Sequence, residues 1–400
     1  MYGEQLENSK FENVCAIVAP MVNPQDSQYG MLPHIGNENI EKHTGKLLKY
    51  HLVKDDNLIS GKYYFTKDEV LYGKINPHFA KVAYPGFDGL CSADMYPIRC
   101  AKEVVPGFLK YALLTKKFTS YTTSVSMRSG MPKVNRNELA EYQFSLPSLL
   151  EQKRIAEALS DVDSMIFSLE KLIAKKKAVK QGAMQELLTG KKRLPGFSEE
   201  WNKINLAKKS KIKARIGWQG LTTNEYLDSG YSYLVTGTDF VNGKIDWDNC
   251  HYVAKDRFDQ DKNIQIQNDD ILITKDGSLG KTALVKGLDK PATLNSGVFV
   301  IRPMQESYDP ALVYYILSSF VFKDFLDHLS AGSTIIHLYQ KDISKFEFLI
   351  PPTIEEQTAI ASILSDIDNE IEALEQKLAK TRHIKQGMMQ QLLTGKIRLV

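Results

Sequence analysis

Four hundred residues, 43% hydrophobic and 25% charged, have an ordinary globular composition on a chain too long for one core. Two or more domains are expected, and disorder is excluded for most of the chain. A net charge of +3 neither demands nor excludes nucleic acid, because such a partner needs a local basic face rather than a large total.

No apolar run approaches the roughly 20 residues of a membrane helix. The short apolar stretch Val14 to Val22 lacks a basic flank and contains Pro20, so no signal peptide is expected and the chain reads as cytoplasmic. Cys15, Cys91, Cys100 and Cys250 form no C-x-x-C pair and have no histidine cluster beside them. They read as reduced thiols, with no metal site.

Residues 1–146 read as a first globular head. Glu69 to Ala83, EVLYGKINPHFAKVA, is an apolar strand, Lys74, a polar loop with Asn76 and His78, then Lys81 and a second apolar run. The strand CSADMYPIR follows, then an amphipathic helix from Pro106. The polar loop SMRSGMPKVNRNEL comes next and carries Arg128, Lys133, Asn135 and Arg136.

Residues 147–194 read as a long helix. Ile155, Leu159, Val162, Ile166, Leu169 and Ile173 alternate spacings of four and three, the seam of a coiled coil. Pro147 stands ahead of it, and Gly190 suits its C-terminal cap. Gly182 is interior and predicts a close backbone contact there, since a helix otherwise loses about 1 kcal/mol by it.

Residues 195–351 read as a second head resembling the first. DDILITKDGSLGKTA, with Lys275, Ser278 and Lys281, parallels the strand–loop–strand of the first head. NSGVFVIRP parallels CSADMYPIR, and a helix again starts at a proline, Pro310. The loop SAGSTIIHLYQKDI, with Ser333, Thr334, His337 and Lys341, answers the first head's basic loop. Similar scaffolds with different loops suit similar tasks on different targets.

Residues 352–400 repeat the long helix. Gln357 to Leu399 aligns without a gap on Gln152 to Leu194, with 24 of 43 positions identical at an offset of 205. Its seam is Ile360, Leu364, Ile367, Ile371, Leu374 and Leu378; Pro352, Gly387 and Gly395 match their counterparts. If the second head is compact, the end of one helix and the start of the next are neighbours, so the helices pair antiparallel. The expected fold is therefore α+β: two mixed α/β heads separated by an antiparallel two-helix coiled coil, with a pseudo-two-fold internal repeat. Roughly 37 residues at 1.5 Å each give a rod of about 55 Å.

Three patterns imitate catalytic motifs. LGKT at Leu279 to Thr282 ends like a phosphate-binding loop, but Lys275 occupies the place of the first glycine. NPHF, Asn76 to Phe79, is near an adenine-methyltransferase loop, but His78 replaces a proline and no glycine-rich cofactor motif lies upstream. Asp269, Asp270 and Lys275 loosely suggest a nuclease cluster, yet a strand end explains them better. No catalytic residue is assigned.

The doubled helix opens with P-x-x-x-E-Q (Pro147 to Gln152, Pro352 to Gln357) and closes with L-L-T-G-K-x-R-L (Leu187 to Leu194, Leu392 to Leu399). In these motifs the chain resembles the specificity (S) subunit of type I restriction-modification systems. RLPGFSEEW, Arg193 to Trp201, is similar to that family's start of a second target-recognition domain. The first head departs from the pattern by lacking P-G-F-x-x-x-W, so its first strand is expected to be shortened or moved.

The resemblance implies that each head reads half of a bipartite DNA site and that the helices act as a ruler. It also implies docking of two adenine-N6 methyltransferase subunits and of motor-nuclease subunits. S-adenosylmethionine, ATP and Mg would then belong to those partners, with no cofactor on this chain. Arg, Lys and Asn in the loops suit base edges, since guanine offers two acceptors and adenine an acceptor beside a donor. The other Lys, Ser and Thr suit phosphates. Heads 40–55 Å apart would match slightly more than one turn of B-DNA, roughly 34–36 Å. The basic run Lys175, Lys176, Lys177 and Lys180, with Lys380, Arg382 and Lys385 in the second copy, reads as a solvated face, a phosphate track or a partner surface. The competing reading is a structural adaptor with two protein- or glycan-binding heads.

Overall fold

The computed structural model describes residues 7–127, 130–217, 220–330 and 337–399. The chain divides into two compact units. One comprises Met1–Lys171 with Glu375–Val400, the other Leu172–Leu374.

Each unit is built on a four-stranded antiparallel sheet of the same order. In the first it runs Cys15–Ile17, Met95–Cys100, Val70–Gly73, Val82–Ala83. In the second it runs Ser210–Ala214, Val298–Pro303, Ile271–Thr274, Thr282–Leu284. The central strands are apolar throughout because both faces are covered, and alternate side chains enter different cores. Val70 and Tyr72 face a core shared with Phe108 and Leu109, while Leu71 joins Ile35, Phe65 and Cys91. Ile271 and Ile273 likewise face Leu312 and Val313, and Leu272 faces Val235 and Leu294.

The helices over the first face, Pro106–Leu113 and Pro310–Leu317, both begin on proline, whose fixed φ and missing N–H suit the first helical turn. The other face carries the sheet in which the heads differ. It has five strands in the first head and three in the second, each with one parallel pair.

The first head's opening strand is present despite its divergent sequence. Glu7–Lys10 pairs antiparallel with Gln143–Leu146, as Asn202–Asn205 pairs with Glu347–Ile350. A one-turn helix follows in both, Phe11–Val14 and Leu206–Lys209. The place of the strand is set by pairing with the segment ahead of the long helix, which the sequence motif did not reveal.

The long helices span Leu149–Leu187 and Ile354–Leu392, so both ends repeat at the 205-residue offset. Each closes on a glycine with φ of 70°, Gly190 and Gly395. Every seam position is buried or half-buried. The first two on each helix do more than meet the other helix. Ile155 and Leu159 lie in the first head's core with Leu392, and Ile360 and Leu364 lie in the second head's core with Leu187.

Within each unit the helix segments run antiparallel, as their side-chain partners show. In the first, Glu151 meets Arg398, Asp163 meets Lys385 and Glu170 meets Arg382. In the second, Glu356 meets Arg193, Asp368 meets Lys180 and Glu370 meets Lys176. Lys176, Lys180, Arg382 and Lys385 therefore take part in helix pairing, and Arg382 remains exposed.

Glu151 is 4% and Glu356 1% exposed, and each takes a forked arginine at 2.6–2.9 Å. The glutamates come from the P-x-x-x-E-Q openings and the arginines from the L-L-T-G-K-x-R-L closings, so the start of each repeat is clasped by the end of the other. The neighbouring glutamines fasten helix to head. Gln152 accepts from Val105 N at 2.9 Å, and Gln357 accepts from Asp309 N at 2.8 Å.

Gly182 and Gly387 do not mark a close backbone approach. A Cβ at either would meet no atom within 4 Å.

Candidate nucleic-acid interface

In each head a strand ends at a lysine and turns into a polar loop. In the first, the loop passes Asn76 at φ 51° and Ala80 at φ 44°, flanking a short 3-10 turn over Pro77–Phe79. Left-handed alanine is strained by about 1–3 kcal/mol, a cost that surrounding contacts must offset and that concentrates at functional loops.

The second polar loop of each head joins the first through the backbone. In the first head Asn76 N donates to Pro132 O at 2.9 Å and Val134 N to Lys74 O at 3.0 Å. In the second, Leu338 N donates to Lys275 O at 2.7 Å, and Asp276 bridges His337. Two segments some 60 residues apart in sequence thus form one surface per head.

The candidate side chains divide by what they touch. Lys74 is buried, and its ammonium donates to Ala93 O at 2.5 Å, so it props the loop instead of facing solvent. Burial and the nearby Lys133 hold its pKa below the usual lysine value. Lys81 is half-buried, donates to Asn37 O, and is likewise lowered by burial and then by Lys42. Lys275 is half-buried over the Phe299 ring at 5.5 Å and also lowered by burial. Asn135 caps the Arg136–Ala140 helix in a capping box with Glu138.

His78, Lys133, Arg136, Ser278, Lys281 and Lys341 are exposed. Asn76 and His337 are half-buried, with His337 Nδ1 3.9 Å from Asp276. Arg128, Ser333 and Thr334 lie outside the described residues. Arg136 and Lys74 share the Tyr96 ring, at 5.8 and 4.9 Å from its centroid, an aromatic platform the sequence reading missed.

The acidic group near Lys275 is structural. Asp270, 1% exposed, takes a forked pair from Arg302 at 2.6 Å, just as buried Glu69 takes Arg99 at 2.7 Å in the first head. Asp269 pairs with Lys286. Among the described residues no group of three or more His, Cys, Asp or Glu could hold a metal ion, and no helix is long and apolar enough to cross a membrane.

A duplicated head, with two loops joined into one polar surface and a helical repeat that clasps its own counterpart, defines a two-headed recognition protein. The chain matches the family model described as the type I restriction modification DNA specificity domain over residues 4–181 and 219–381, and it belongs to that family. It is 27% identical over 331 residues to the type I restriction enzyme MjaVIII specificity subunit of Methanocaldococcus jannaschii, covering 78% of this chain and 76% of the relative. To the putative MjaX specificity subunit of the same organism it is 28% identical, covering 84% and 80%. The crystal structure of the type I restriction-modification S subunit from M. genitalium superposes with a TM-score of 0.64 at 15% identity, covering 96% of this chain and 95% of that one.

Proposed function

We propose that this chain reads an asymmetric, bipartite DNA site as the non-catalytic specificity subunit of a type I restriction-modification complex, with one head on each half-site. The observation that carries the reading is the paired loops. Both heads use the same strand ends to hold two loops together, and among the described residues the exposed candidate side chains are His78, Lys133 and Arg136 in one head and Ser278, Lys281 and Lys341 in the other. Shared scaffolds give shared docking, and unlike loops give unlike half-sites.

Arg136, Lys133 and Asn76 suit base edges in the first head; His337 and Lys341 suit them in the second. His78, Ser278 and Lys281 serve as phosphate contacts. In this reading the long helices would act as the ruler, each with 39 residues, or about 58 Å at 1.5 Å per residue. Two adenine-N6 methyltransferase subunits and motor-nuclease subunits assemble on it. They bring S-adenosylmethionine, ATP and Mg, and this chain binds none of the three.

Methylome sequencing of a host with and without the gene tests the proposal. The expected result is one asymmetric two-part motif whose N6-methyladenine appears only with the gene. An unchanged set of methylated sites would refute it.

A further inference from the structure

The first unit contains a cleft of about 640 Å³ between the 41–46 turn of the head and the two helix segments. Its wall carries five cations, Lys42, Lys46, Lys110, Arg382 and Lys385, against three carboxylates, Glu41, Asp163 and Glu170. Two of those carboxylates are each divided between two cations. Asp163 lies 2.5 Å from Lys385 and 3.4 Å from Lys110, and Glu170 lies 2.5 Å from Lys46 and 2.8 Å from Arg382. Neither can neutralise both neighbours, so the cleft keeps an excess of two positive charges.

The turn that roofs the cleft is held in place. Glu41 N donates to Lys46 O at 2.9 Å and His43 N to Phe79 O at 3.1 Å. Gly45, at φ 74°, lies so close to Lys110 that a Cβ there would be 2.9 Å from the lysine Cε. The Lys110 stem is thereby pinned with its ammonium toward Asp163, in a position that burial makes costly for a cation.

The second unit repeats part of this arrangement, with Lys180 on Asp368 and the turn lysine Lys244 on Glu372, but not the half-buried Lys110. Tyr314 stands at the place of Lys110 and is buried, with its hydroxyl against Gly243. Asp368, the counterpart of Asp163, has one lysine, Lys180 at 2.6 Å, beside the Tyr315 hydroxyl. A scaffold needs no lysine there, since the duplicate folds with an aromatic ring instead. The departure points to a ligand.

We propose that this cleft binds a small, doubly charged phosphate-bearing anion. Arg382 and Lys46 would supply the outer donors, with side chains 55% and 37% exposed, and Lys110 and Lys385 the inner charge. Thr44 and Ser164 add hydroxyls, and exposed Phe167 offers an apolar wall for the rest of the molecule. The inference goes beyond the DNA-reading proposal and does not depend on it.

The test is calorimetric titration of the full chain with inorganic phosphate and with pyrophosphate, against chloride of matched ionic strength, with Tm followed in parallel. Saturable binding and a raised Tm are expected. Arg382→Gln and Lys110→Tyr, the latter copying the second unit, should each weaken binding at least tenfold. Lys42→Gln, at an exposed residue outside the ion-pair network, should weaken it severalfold even if the other two variants fold poorly. No saturable heat from either anion overturns the proposal. So does equal binding by wild type and all three variants. Loss of duplex-DNA affinity in Lys42→Gln and Arg382→Gln without any phosphate binding would also overturn it, by assigning these cations to the DNA path.

Discussion

Arg193 and Arg398 each end a repeat by capping a buried glutamate. Removing the guanidinium leaves a buried carboxylate unpaired, a loss of about 3–5 kcal/mol. Arg398→Ala is expected to lower Tm sharply, and Arg398→Lys to recover only part of it, because lysine lacks the planar fork. Calorimetric unfolding of the three proteins checks both.

The same pair sets a pH response. The Arg398 hydrogen bonds hold the Glu151 pKa below the usual carboxylate value. A depressed folded pKa contributes stability above the unfolded carboxyl pKa of about 4.3 and loses it as pH falls through the folded value. The stability gap between wild type and Glu151→Gln should therefore be full at neutral pH and shrink below about pH 4. A gap that stays constant through acid would show that the glutamate charge is not what matters.

At the proposed DNA surface, Arg136→Ala should cost about 1–3 kcal/mol at one half-site and nothing at the other. Binding measured on duplexes mutated in one half at a time decides it. The candidate residues were only partly legible in the sequence. Position along the loops marked Arg136 and Lys133, but nothing in the sequence told a loop lysine that faces solvent from Lys74, which turns inward to a carbonyl. The Arg–Glu clasps were visible as duplicated motifs, but which copy binds which emerges only from the antiparallel pairing.

Among elements, the long helices were the most legible. Their heptad seams fixed period and extent, and the 205-residue offset fixed their equivalence. Two features of them were not legible. Gly182 and Gly387 suggested tight packing, but their Cβ positions face open space. Gly182→Ala and Gly387→Ala should then each stabilise the protein by about 1 kcal/mol through helix propensity alone, read as a higher midpoint in urea with an unchanged slope. Destabilisation would show that a partner or a tighter state occupies that space.

The second hidden feature is that Ile155, Leu159, Ile360 and Leu364 serve head cores as well as the helix seam. A 3.5-residue period reports an apolar stripe but not what covers it. The opening strand of the first head escaped for a related reason: backbone pairing places it, and its motif had diverged.

For the whole molecule, the repeat gives one chain two similar heads, as the proposed two-part reading requires. Each unit joins the start of one long helix to the end of the other, so neither head is complete without both copies of the repeat. The proposed ruler depends on those helices being continuous through Lys171–Leu172 and Leu374–Glu375, where the two units divide. Four residues inserted into each helix at these points add about 6 Å at 1.5 Å per residue. Set against the 3.4 Å rise of B-DNA, that is one or two base pairs. The decisive measurement is the methylation motif of the insertion variant in a host carrying its partner subunits. The expected motif has both half-sites unchanged and a gap one or two base pairs longer; a motif with the original gap would contradict the account.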